Sequence, residues 1–100
     1  MSEYLLIMYN DTQDQNTVDN PDHWNSYLSS LLADGQIADV SAVSGGVRCN
    51  KNRADQHADT HIMGFIRVRA DNLQAAKIWL IGNPVYEAGG TVEIRALLRD

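Results

Sequence analysis

The stretch from Glu3 to Tyr9, EYLLIMY, limits more than any other what this chain can fold into. It is a continuous apolar run of strand length. Successive side chains on a strand alternate, so Tyr4, Leu6 and Met8 point one way and Leu5 and Ile7 the other. A strand apolar on both sides needs cover on both sides. Whatever the rest of the chain builds has to bury two faces of this segment.

The remaining sequence supplies cover for one face. The polar run from Asn10 to Asn20 reads as a loop. Asn20 is placed as a helix N-cap, with Pro21 in the first helical position and Asp22 near the positive end of the dipole. Trp24, Tyr27, Leu28, Leu31 and Leu32 then recur at helical spacing, an apolar stripe that Gly35 ends. QIADVSAV reads as a strand and SGGVRCN as a turn with a short continuation, while residues 51–60 read as a polar loop. In HIMGFIRVR the alternation puts Ile62, Gly64, Ile66 and Val68 on one side and Met63, Phe65, Arg67 and Arg69 on the other. Asp71 and Gln74 have capping-box spacing at the head of a second helix, with Leu73, Ala76, Trp79 and Leu80 inward. Gly82, Asn83 and Pro84 stop it. The last strand turns Val92, Ile94 and Ala96 one way and Thr91, Glu93 and Arg95 the other.

The order strand, helix, strand, strand, helix, strand predicts an α+β, ferredoxin-like βαββαβ two-layer sandwich, one domain over residues 1–100. Two helices cover one face of such a sheet. Leu5, Ile7, Met63 and Phe65 remain on the other, more apolar surface than a monomer keeps in water. A second copy of the same sheet is the economical cover, which makes the expected assembly a homodimer. Glu93, Arg95 and Arg67 then line a space between two subunits.

Composition narrows the function classes. The net charge of −5 and pI near 4.9 argue against a nucleic-acid partner, which would require clustered Lys and Arg. The apolar runs YLLIM and IWLI fall far short of the roughly 20 residues a membrane span needs. An acid stands near the N-terminus where a signal peptide would be basic. The single cysteine, Cys49, rules out an intrachain disulfide and reads as a passive thiol. Together these predict a cytoplasmic protein with no membrane partner. The pairs Gly45–Gly46 and Gly89–Gly90 are turn chemistry without a nucleotide-binding pattern, so no cofactor is expected.

EYLLIMY, the helix end LLADGQI, GFIRV followed by DNLQAA and, above all, NPVYEAGGTVEIRAL resemble the YCII-related family. The resemblance runs over nearly the whole chain and implies a dimeric α/β barrel, in which two ferredoxin-like subunits face each other around a cavity. One branch of that family carries a DGPF motif before the third strand, where this chain has NRAD at Asn52 to Asp55. In the other branch a His near the start of the first helix is paired with an Asp that precedes Pro after the second. His23 in PDHW matches the His, which makes it the candidate catalytic acid–base. Asn83 in GNP stands where the Asp would be, and an amide cannot ionise.

Three further sets are candidates. Arg67, Glu93, Arg95 and Asn83 are the expected ligand-binding residues; the arginines offer planar bidentate donors to a carboxylate or other anion. Equally, Glu93, Arg95 and Arg67 read as ion pairs at a subunit interface. His57, Asp59 and His61, extended by Asp55, share one face of an extended segment and would suit a divalent cation. Without a spaced fourth ligand they read as solvated loop residues, and no metal is expected. The sequence thus leaves open a small-molecule-binding homodimer, an enzyme using His23, and a non-catalytic interaction module.

Overall fold

A four-stranded antiparallel sheet in the order β2-β5-β1-β6 organises the computed structural model, which describes residues 2–58 and 61–98. Its strands are β1 (Ser2–Tyr9), β2 (Ile37–Ala42), β5 (Ile62–Ala70) and β6 (Val92–Leu97). The helices are α1 (Gln15–Asp19), α2 (Pro21–Ala33), α3 (Leu73–Ile78) and α4 (Pro84–Glu87), and β3 (Val47–Asn50) and β4 (Arg53–His57) form a separate hairpin. The architecture is the expected α+β, ferredoxin-like one. No helix among the described residues is long and apolar enough to cross a membrane.

β1 is central because it pairs on both edges. Leu6 stands between Ile66 of β5 and Ile94 of β6, and Tyr4 between Val68 and Ala96. Tyr4, Leu6, Met8, Ile66 and Val68 are buried, and they meet Val18 of α1, Tyr27 and Leu31 of α2, Ala76 of α3 and Val85 of α4 in one core. All the helices therefore lie on the same face of the sheet. Leu6, Leu31, Ile66 and Val68 have no exposed surface at all. That density of burial is the main stabilising term for a small domain.

The opposite face has no cover within the described chain. Register arranges it in rows: Ser41, Phe65, Ile7 and Glu93 in one, and Asp39, Arg67, Leu5 and Arg95 in the next. A third row carries Arg69, Glu3 and Leu97. Apolar side chains occupy its middle and charges surround them.

Several local expectations are corrected. Met63 does not join Phe65 on the open face. Register slips between Met8 and Tyr9, so Met8 pairs with Gly64 and Tyr9 with Ile62. Met63 is the extra residue of that bulge, and it packs against the core instead. A Cβ on Gly64 would lie 2.8 Å from the Ser41 carbonyl oxygen, so only glycine fits this crowded position. Leu32 and Leu73, assigned inward, are 65% and 49% exposed. The N-cap of α3 is Asn72, whose side chain accepts from the Ala75 amide, rather than Asp71.

Polar composition also hid three elements. Inside the expected loop before α2, Asp14 caps the short helix α1 by accepting from the Thr17 amide. Residues 53–57, read as loop, pair with β3 through the backbone. The Gly82–Pro84 stop also starts a new helix, because Asn83 caps α4 and Pro84 occupies its first turn.

The phase of α2 makes a direct test. Leu31→Ala should cost about 2–5 kcal/mol because the residue is fully buried. Leu32→Ala, one position on, should stay within about 0.5 kcal/mol. Urea melts of the two variants check this, and equal losses would show the helix is turned differently.

Candidate functional site

Two regions gather polar side chains, one on each face of the sheet. On the open face Glu93 is the hub: the Tyr9 hydroxyl donates to its Oε1, and the Arg95 Nε donates to its Oε2. Tyr9 and Glu93 come together because β1 and β6 are antiparallel, with Ile7 opposite Glu93 and the Tyr9 amide bonded to the Thr91 carbonyl. His61 stacks edge-on against the Tyr9 ring at 5.6 Å.

Each group shifts its neighbours' protonation. The Tyr9 hydroxyl and then the Arg95 guanidinium hold the Glu93 carboxyl below its ordinary range, outweighing desolvation. The bond to Glu93, with some burial, raises the Tyr9 phenol. Glu93 in turn raises Arg95. Both carboxylate oxygens of Glu93 are thus engaged, while 69% of the Arg95 side chain remains open to solvent.

Arg67 does not belong to this hub. β1 separates β5 from β6, and Arg67 and Arg95 flank Leu5 from opposite sides. They stand two strand spacings apart, about 10 Å. Arg67 Nε lies 3.3 Å from Glu3 Oε1, an ion pair without hydrogen-bond alignment. The expected single charge set is two sets with an apolar bar between them.

The second region is a cleft of about 320 Å³ on the helical side, between α2 and the turn that leads from α3 into α4. His23, Tyr27 and Ser30 form one wall, and Gly82, Pro84 and Glu87 the other. Gly82 has φ +85°, a left-handed turn that any larger residue would strain. His23 Nδ1 lies 3.3 Å from the Thr17 carbonyl oxygen. A carbonyl can only accept, so a hydrogen bond here places a proton on Nδ1 and turns Nε2 away from Thr17. Burial raises the Tyr27 phenol, against the pull of the Asn83 amide, and its hydroxyl donates to the Trp79 carbonyl.

Asn83 stands beside this cleft with its side chain turned inward. It is fully buried: Oδ1 accepts from the Val85 and Tyr86 amides at 3.0 and 3.1 Å, and Nδ2 approaches Met8 Sδ at 3.5 Å. Its amide is committed to capping α4. The carboxylate that shares the cleft with His23 is Glu87, which sequence reasoning missed. Its signal was available: Glu87 is four residues after Asn83, one helical turn past a capped Asn-Pro start.

The remaining candidates are dispersed. His57 and Asp55 are exposed on β4, His61 is engaged with Tyr9, and Asp59 lies outside the described residues. Among the described residues no group of three or more His, Cys, Asp or Glu could hold a metal ion. Cys49 is exposed on β3.

The depressed Glu93 carboxyl gives a pH prediction with a definite sign. Stability tied to its ionised form is full above its ordinary value of 4.5 and fades as pH falls through the lower folded-state value. The stability difference between wild type and Glu93→Gln should therefore be constant near neutrality and shrink in acid. Denaturant melts from neutral pH down to about pH 3 measure it. A difference that persists undiminished in acid would show that the ionised carboxylate contributes nothing.

No protein-family model matches this chain. No curated protein matches it in sequence. Among solved structures it is similar to the 5-chloro-2-hydroxyhydroquinone dehydrochlorinase of Burkholderia phenoliruptrix AC1100, determined in complex with 2,5-dihydroxybenzoquinone. The match has a TM-score of 0.64 at 15% sequence identity and covers 98% of this chain and 95% of that one. What the two chains share is the fold.

Proposed function

We propose that this chain is a YCII-related homodimer, its open sheet face the subunit interface, that binds a small molecule in the cleft at His23. The observation that carries the binding site is the cleft itself: about 320 Å³ of preformed space with His23 Nε2, Glu87 and Ser30 on its walls. A concave space with a few convergent polar groups is what small-ligand sites look like. The dehydrochlorinase with the same fold was solved with a small hydroxylated quinone, which supports the class of ligand without specifying it.

The lining decides the sign of the ligand. No Lys or Arg lines the cleft, and Glu87 does. The Glu87 carboxylate accepts hydrogen bonds and no cation offsets it, so the cleft suits a molecule rich in hydroxyl donors. An anionic ligand would belong instead on the open face, near Arg67 and Arg95. There Arg95 is already bound to Glu93, which favours a structural role for that pair.

Binding is favoured over acid–base catalysis. A carbonyl, not a carboxylate, lies at His23 Nδ1, so the hydrogen bond that orients the ring is not the carboxylate bond of a catalytic triad. The acidic composition and lone thiol fit a cytoplasmic setting.

A thermal-shift screen of small phenols, polyols and carboxylates tests this reading. A hydroxylated compound should raise the melting temperature of wild type, and both His23→Ala and Glu87→Gln should weaken its binding about tenfold, the loss of roughly 1.4 kcal/mol. If only carboxylates stabilise the protein, and Arg95→Met abolishes their effect, the site is on the open face and this reading is wrong.

A further inference from the structure

We propose that the β3–β4 hairpin is an arm that clasps the acidic end of a second copy of this chain. The inference rests on the homodimer reading and names a contact beyond the sheet faces.

Every residue of both hairpin strands is exposed, Val47 at 62%. β3 and β4 pair with each other and not with the main sheet. A lone two-stranded hairpin is at best marginally stable in water, so an arm of this kind needs a surface to lie on. The fold is also expanded for its length: its radius of gyration is 14.8 Å, against about 13 Å for a compact domain of this size.

Charge identifies the surface. No Lys or Arg precedes Arg48 in the sequence, and Arg48, Lys51 and Arg53 then fall within the hairpin. Before them the chain carries only acids, densest at Asp11, Asp14, Asp19 and Asp22. All four are exposed; Asp11 is bound to Thr91, Asp14 to Thr17 and Asp19 to Gln15, and Asp22 lies in the first turn of α2. Asp55 on β4 offsets one of the arm's three basic residues, so the arm keeps a net positive charge, which on an otherwise acidic protein is complementary to its own kind.

Topology puts the two features at one end. β1 and β2 both run antiparallel to β5, so they are parallel to each other. The acidic segment that follows β1 and the hairpin that follows β2 therefore leave the sheet at the same end. A two-fold axis that keeps those ends together brings each arm to the end of the partner that carries its acidic segment. Since α1 and α2 lie on the outer, helical side, the arm reaches them past the sheet edge, and the contact is made twice.

Cys49, the chain's single cysteine, sits exposed on the arm and can report where the arm lies. A benzophenone maleimide on Cys49 is photolysed in an equal mixture of unlabelled and ¹⁵N-labelled protein, and adducts are mapped by mass spectrometry. Mixed-isotope adducts within residues 10–22 are expected. In parallel, the double variant Lys51→Glu, Arg53→Glu should raise the dimer dissociation constant at least tenfold at low salt. Mixing it with Asp19→Lys, Asp22→Lys should restore a dimer. Adducts confined to one chain, or a charge-reversed variant that dimerises like wild type, overturn the arm while light scattering still reads a dimer. A monomeric mass for the wild type overturns both the arm and the homodimer.

Discussion

The structure depends on β1 having two apolar faces and a partner strand on each edge. One face is resolved inside the chain, where Leu6 is sealed by Ile66, Leu31 and the rest of the helical layer. The other face is organised but open. Leu5 is held between Arg67 and Arg95, and Ile7 between Phe65 and Glu93. Covering such a surface gains about 25 cal/mol for each Å² of apolar area removed from water. The charges around it add little binding energy but penalise wrong partners and wrong registers. Tyr9 and Arg95 bond both carboxylate oxygens of Glu93 in advance, so a cover would have to meet only the outward donors of Arg95.

The helical side divides its labour differently. The turn from α3 to α4 is set by Gly82 and capped by Asn83. Capping turns the amide inward and sends α4 out along the edge of the cleft, carrying Glu87 to the wall opposite His23. The acceptor oxygen at position 83 sets this turn, and the fully buried position suits an uncharged amide whose nitrogen meets Met8 Sδ. The same side chain geometry that looks like a lost acid is thus a structural fastening, and the cleft draws its carboxylate from one turn further on.

What could be read from the sequence was whatever hydrophobic periodicity reports. β1, α2, β5 and β6 each bury a patterned face, and the two-layer architecture followed from their order. What escaped depends on the backbone. The bulge that turns Met63 inward leaves no mark on an alternating pattern, because both neighbours of Gly64 are apolar. β4 is polar apart from Ala54, and its strand character comes from backbone pairing with β3. Of the two groups that share the cleft, His23 was singled out from the sequence and Glu87 was passed over, since its place depends on a helix that begins at a residue read as a stop. The supposed union of Arg67 with Glu93 failed for want of strand order: β1 lies between them.

We propose that a second copy covers the open sheet face. Sedimentation equilibrium of the wild type beside Ile7→Glu addresses it most directly. Ile7 lies on that face next to Glu93, so a glutamate there adds like charge to the interface and leaves the helical core untouched. Twice the 11.1 kDa chain mass is expected for wild type at micromolar concentration, and a folded monomer for Ile7→Glu. A wild-type monomer, or an Ile7→Glu dimer as tight as wild type, would contradict it.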